Sequence, residues 1–219
     1  MVTFEDVKNN PEINLLLTNG QRQLDVLKFT EHSIRHATVV SKIASIVLTE
    51  LGYDERTIEL GKIAGYMHDI GNSINRNDHP HSSAVLAYQI LKEMGMDIEE
   101  VSEIAMAIGH HDEKTGAAVS VIASALIIGD KCDVHRGRVR TKDLTNLHIH
   151  DRVNYAVEKS RLHIDTENKK MTLNIEIDTS ISSVMDYFEI SLGRMNMIKE
   201  ASNYLGYVFE LIINDTKLN

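Results

Sequence analysis

Histidine is the residue that stands out in this 219-residue chain: there are eleven, and seven of them fall between His32 and His111. His32 and His36 are four apart and so share one face of a helix. His68 and Asp69 are adjacent, His79 precedes a proline, His110 and His111 are adjacent, and Asp130 closes an apolar run. Imidazole and carboxylate are the ligands that hold divalent transition metals. Delivered from the ends of successive helices, they would meet in the core of a bundle. Consecutive helical residues point about 100° apart, so His68 and Asp69 cannot serve one ion symmetrically, but the carboxylate can bridge two ions while the imidazole binds one. His81, His148, His150 and His163 read as surface or hydrogen-bonded histidines.

The elements that must position these groups are helical as far as Asp130. Apolar residues recur at helical spacing from about Gln21: Val39, Val40, Ile43, Ile46, Val47 and Leu51 form one helix ending at Gly52, and Ile58, Leu60, Ile63 and Ala64 form a second, from Asp54 to His68-Asp69. Asn72 to Asp78 reads as a loop, and Pro80 suits the first position of a third helix through Val85, Leu86, Ile90 and Leu91. Two more are expected over Ile98 to Ile108 and Gly116 to Gly129. Beyond Asp130 the period becomes two: Leu162 and Ile164, then Met171, Leu173, Ile175 and Ile177, alternate around Asp165 to Lys170 as in a β-hairpin. A helix carrying Ile181, Val184, Met185, Phe188, Leu192, Met195, Ile198 and Leu205, then a strand over Tyr207 to Ile213, complete the chain. The fold class is mostly α: a helical metal-binding domain over 1–140 and an α+β extension over 141–219 docked on it.

Composition narrows the function. Hydrophobic residues make up 42% and charged residues 25%, with two prolines, as in ordinary globular proteins. No apolar run reaches the roughly 18 residues that span a bilayer, and the first residues do not read as a secretory signal, so neither a membrane nor secretion is expected. One cysteine, Cys132, excludes an intramolecular disulfide framework and favours the cytoplasm. A net charge of −9 argues against nucleic acid as the main partner.

Taken together, His36 through Leu51-Gly52 to Met67-His68-Asp69-Ile70-Gly71, with the late Asp130, resembles the HD superfamily of metal-dependent phosphohydrolases. His79-Pro80-His81-Ser82-Ser83-Ala84 and His110-His111 resemble the third and fourth motifs of its HD-GYP branch. The likeness runs from about Thr30 to His135. It departs from that branch after His111, where Asp112-Glu113-Lys114-Thr115-Gly116-Ala117 carries no Gly-Tyr-Pro, and at Asn72, where relatives often have lysine.

The resemblance implies metal ligation by His32, His36, His68, Asp69, His79, His110, His111 and Asp130, holding two divalent ions (Fe, Mn, Co, Ni or Zn). It implies hydrolysis of a phosphate ester or anhydride of a small phosphorylated molecule, a nucleotide, by a metal-activated hydroxide. Catalytic roles fall to Asp69, Lys131, His79 and His110, with either of the last two histidines protonating the leaving group. Residues 131–170 hold ten Lys and Arg against six Asp and Glu. Lys131, Arg136, Arg138 and Arg140 are therefore candidates to hold an anionic substrate, unless they form only a solvated face. Two alternatives stay open: a catalytically silent HD-fold nucleotide sensor or scaffold, and a di-iron oxygenase on an HD scaffold. The extension also offers a surface for a homo-oligomer.

Overall fold

The computed structural model describes residues 1–140 and 148–218, so the boundary expected at residue 141 lies outside the described residues. Two helices, α1 (Phe4–Lys8) and α2 (Pro11–Val26), precede those read from the pattern. The Asn10 side chain accepts from the Glu12 and Ile13 N–H groups and Pro11 opens the first turn of α2, both efficient ways to start a helix. There follow α3 (Ile34–Glu50), α4 (Glu55–Met67), a 3-10 turn over Ile70–Ser73, α5 (His79–Glu93), α6 (Ile98–Gly109) and α7 (Val121–Cys132). Ser33, Asp54, Asp97 and Ser120 each cap their helix through the side-chain oxygen.

The last of these caps moves α7 away from the expected start at Gly116. Ser120 accepts from Ala123 N–H, and Gly116 belongs instead to a turn in which its N–H donates to Asp112 O. The pattern also gave no sign of α8 (Ile149–Ala156), which leads directly into β1 (Val157–Asp165).

β1 pairs antiparallel with β2 (Lys170–Ile177), with Leu162 opposite Leu173 and Asp165 opposite Lys170, as the alternation requires. α9 (Val184–Tyr204) then carries the chain back to β3 (Val208–Ile213), which lies parallel to β2; a parallel pair needs such a crossover. A two-residue β4 (Thr216–Lys217) completes the order β1-β2-β3-β4. In α9 the buried row runs through Tyr187, Ser191, Met195, Ile198 and Ser202, a period of three to four, whereas Met185 and Leu192 are exposed. The expected stripe is thus rotated, and those two residues lie outside the core.

Among the described residues two apolar cores result. One gathers α1, α2, α4, α5 and α6 around Ile13, Leu17, Ile63, Met67, Ile90 and Ile104. The other joins Ala44, Val47 and Leu48 of α3 and Ile127 and Ile128 of α7 to Met171, Leu173, Ile198 and Phe209 of the sheet and α9. α3 and α7 contribute to both, and their polar ends carry His36 and Asp130. Among the described residues no helix is long and apolar enough to cross a membrane.

Candidate metal centre

Close helix packing brings the histidines together. A Cβ on Gly65 would lie 2.7 Å from Ser41 Cα, so glycine there lets α4 press against α3 and sets His68 beside His36, ring centroids 5.2 Å apart. A Cβ on Gly71 would lie 2.5 Å from His79 O and from Ser83 N. Its own N–H donates to Ser83 Oγ at 2.8 Å, which pins the start of α5, and hence His79, against the turn after the doublet. Asp69 itself sits where the α-helix breaks, with φ −108° and ψ 5°. The sparsely populated bridge conformation redirects its carboxylate away from a regular helical course.

Each of five imidazoles has Nδ1 engaged in the same way. His36 Nδ1 meets Asp133 Oδ2 at 2.7 Å, and the Nδ1 atoms of His32, His68, His79 and His111 meet the carbonyls of Thr30, Gly65, Arg76 and Ile108 at 2.7, 2.8, 3.0 and 2.7 Å. Such bonds fix the tautomer and leave Nε2 with its lone pair, as in metal-ligating histidines.

The Nε2 atoms converge on Asp69 from two sides. Oδ2 lies 3.3 Å from His68 Nε2 and 3.8 Å from His36 Nε2, and Asp130 Oδ1 closes that side at 3.3 Å from His36 Nε2. Oδ1 faces His79 Nε2 at 3.4 Å and His111 Nε2 at 3.9 Å. His36, His68 and Asp130, and again His68, Asp69 and His111, bring ligand atoms within 4.8 Å of one another.

His36 Nε2, His68 Nε2 and Asp69 Oδ2 are buried with no hydrogen-bond partner. Orphaned buried polar atoms are costly, and three of them facing one another are what a divalent cation would satisfy; the residues present fit a metal ion. Protonation agrees. Burial pushes His32 and His111 well below the ordinary imidazole value, so both stay neutral. Burial opposes ionisation of Asp69, yet His68 and the other surrounding imidazoles outweigh it and hold the carboxyl well below the usual range.

The remaining predicted residues fall into distinct places. His32 stacks edge-on to His36 at 5.5 Å. His110 caps α6, and no described hydrogen bond or ring contact ties it to the other imidazoles; its Nδ1 is buried and unpartnered. Lys131 is buried, its Nζ 2.6 Å from Asp130 Oδ2 and 3.1 Å from Glu113 Oε1. Arg136 pairs at the surface with Glu158 and lies over the Tyr155 ring, and Arg140 pairs with Asp25.

Arg138, 1% exposed, is a bolt rather than a surface cation. It donates to Glu31 O through Nε and Nη2 at 3.1 and 2.8 Å and to Asp133 O through Nη1 at 2.7 Å.

Two groups escaped the sequence reading. Asp133, three residues after Asp130, supports His36 and also accepts from Arg35 Nη2 at 3.0 Å. Arg76, three residues before His79, reaches His79 Nε2 at 3.3 Å and Asn72 Oδ1 at 3.2 Å. Only the short spacings to known candidates could have flagged either one.

Known proteins resemble this chain over most of its length. The chain is 27% identical over 196 residues to ribonuclease Y of Listeria welshimeri, a match covering 86% of this chain and 35% of that protein, so it spans about a third of the length of these curated relatives. It is 24% identical over 229 residues to an uncharacterized protein of Methanocaldococcus jannaschii, covering 94% of this chain and 86% of that one. The crystal structure of an HD superfamily hydrolase from an uncultured Thermotogales bacterium aligns with 56% of this chain and 66% of its own at 27% identity and a TM-score of 0.45. Residues 29–189, most of the chain, match the HD domain, and the protein belongs to that family.

Proposed function

We propose that this protein is a metal-dependent phosphohydrolase that cleaves a phosphate ester or anhydride in a small phosphorylated molecule, a nucleotide. The observation that carries this reading is the division of Asp69: one carboxylate oxygen faces His36 and His68, the other His79 and His111. In this reading His36, His68, Asp69 and Asp130 hold one divalent ion, and Asp69, His79 and His111 a second. Such ions would supply a water of lowered pKa and neutralise charge on the phosphoryl oxygens.

The chain's own groups do the rest. Lys131 balances Asp130 and Glu113 and keeps the Asp130 carboxylate oriented. His110, outside the ligand cluster, has an imidazole nitrogen to spare for protonating the leaving oxygen. A net charge of −9 disfavours a long polyanion as substrate. The ribonuclease Y relatives nevertheless make a short RNA the right comparison substrate.

The test is phosphate or nucleotide release by protein loaded with Mn, Fe, Co or Ni, across nucleoside phosphates, dinucleoside polyphosphates, cyclic dinucleotides and a short RNA. Release from a small nucleotide that stops on chelation supports the reading. Cleavage of RNA alone, or of nothing at saturating metal, overturns it, the latter in favour of a sensor.

A further inference from the structure

Of the cations near the cluster, Lys131, Arg136, Arg138 and Arg140 all have their charge committed to carboxylates or carbonyls within the chain. Arg76 is placed differently. Its Nη1 hydrogen-bonds Asn72 Oδ1 and His79 Nε2 and lies 3.8 Å from Asp69 Oδ1, so the guanidinium stands at the edge of the candidate ligand set. Among the described residues its Nε and Nη2 make no hydrogen bond, and the side chain is 23% exposed. A planar fork with two donors unspent beside a metal centre matches two oxygens of a phosphoryl group.

The Cζ of the same guanidinium lies over the Phe29 ring, 5.8 Å from its centroid. Phe29 is 44% exposed, on the loop that leaves α2 and leads to His32, and Ile74, two residues before Arg76, is also exposed. An aromatic face held next to an anion-binding arginine is a stacking surface for a flat, apolar group carried by the phosphate.

We propose that Arg76 and Phe29 form the substrate-recognition wall of the metal centre, Arg76 holding the phosphoryl group and Phe29 stacking the nucleobase of a nucleoside monophosphate unit. The assignment rests on the phosphohydrolase reading above and specifies its substrate class.

Calorimetric titration of the Mn-loaded protein with inorganic phosphate and with an uncleavable adenosine methylenephosphonate tests it without relying on turnover. Arg76→Met should weaken both probes by roughly 10- to 100-fold, the worth of one or two charge-assisted hydrogen bonds, with bound Mn unchanged. Arg76→Lys should recover part of the loss. Phe29→Leu should weaken the nucleotide analogue by about tenfold and leave phosphate binding alone.

If Arg76→Met binds both probes like the parent, or loses Mn in proportion, Arg76 serves the ligands and not the substrate, and the proposal fails while the phosphohydrolase reading stands. Equal losses for both probes in Phe29→Leu would also sink the stacking role. Failure of the parent itself to bind either probe would overturn the phosphohydrolase reading and this proposal with it.

Discussion

Replacing Asp133 by Asn removes one charge without changing the shape of the side chain, and the structure says what that charge supports. Oδ2 accepts from His36 Nδ1 at 2.7 Å and from Arg35 Nη2 at 3.0 Å, and lies 3.9 Å from Arg138 Nε. Oδ1 is 3.3 Å from His135 Nε2. Burial opposes ionisation here, but His135, His36 and Arg138 outweigh it and hold the carboxyl far below the usual range.

Two losses are expected. Metal affinity should fall roughly 10- to 100-fold, the usual cost of removing the partner that orients a ligating histidine. Leaving a buried cation without its counter-charge costs about 3–5 kcal/mol. Arg138 keeps its three bonds to the Glu31 and Asp133 carbonyls, so the loss should be nearer about 2–3 kcal/mol, the scale of one charged hydrogen bond. Because the folded-state pKa is depressed, this stabilisation is present above the ordinary value of 3.8 and is lost as pH falls below it. Urea unfolding of parent and Asp133→Asn at pH 7 and at acid pH, with metal titration of both, reads all of this. An unchanged midpoint and unchanged metal affinity at pH 7 would refute the reasoning.

Arg138→Ala should cost about 3–5 kcal/mol of stability, since a buried guanidinium and three carbonyl bonds are lost, while Arg136→Ala, whose ion pair is exposed on both sides, should change it by less than about 1 kcal/mol; thermal unfolding separates the two. Burial would raise the Glu113 carboxyl, but Lys131 and Arg194 hold it down to about 2 from 4.5. Glu113→Gln should therefore lower stability at neutral pH by on the order of 2–3 kcal/mol, and its difference from the parent should shrink as pH falls from 4.5 toward about 2. Truncation after Arg140 removes Met171, Leu173 and Phe209 from a core shared with Ala44, Val47 and Ile127. The shortened chain should aggregate on size-exclusion chromatography, and a monomer as stable as the parent would contradict the shared core.

The parts of the fold visible in the sequence are those whose burial is periodic and apolar. α3, α4 and the hairpin carry their inward residues at regular spacing, and the doublet lies at the end of a patterned helix. α2 was hidden because its buried row, Ile13, Leu17, Gly20, Gln21 and Leu24, is partly polar. α8 was hidden because it is eight residues long and buries Val153, Asn154 and Ala156. At the site, residue type and order pointed to the imidazoles and carboxylates, since few other roles gather so many. The supporting layer could not be read in the same way. The union of Asp133 with His36 depends on how α7 ends beside α3. Arg138 looks like a surface cation in sequence and is buried only because the Glu31 and Asp133 carbonyls fold around it.

Asp69, between two pairs of imidazoles, is proposed to organise a metal centre. Metal analysis of the purified protein by mass spectrometry, for the parent and Asp69→Ala in parallel, tests it most directly, with circular dichroism confirming that the variant keeps its helices. Up to two divalent transition-metal ions per chain are expected in the parent, from the two sets of candidate ligands facing the two Asp69 oxygens, and almost none in the variant. A folded Asp69→Ala protein with the full metal content of the parent would contradict it.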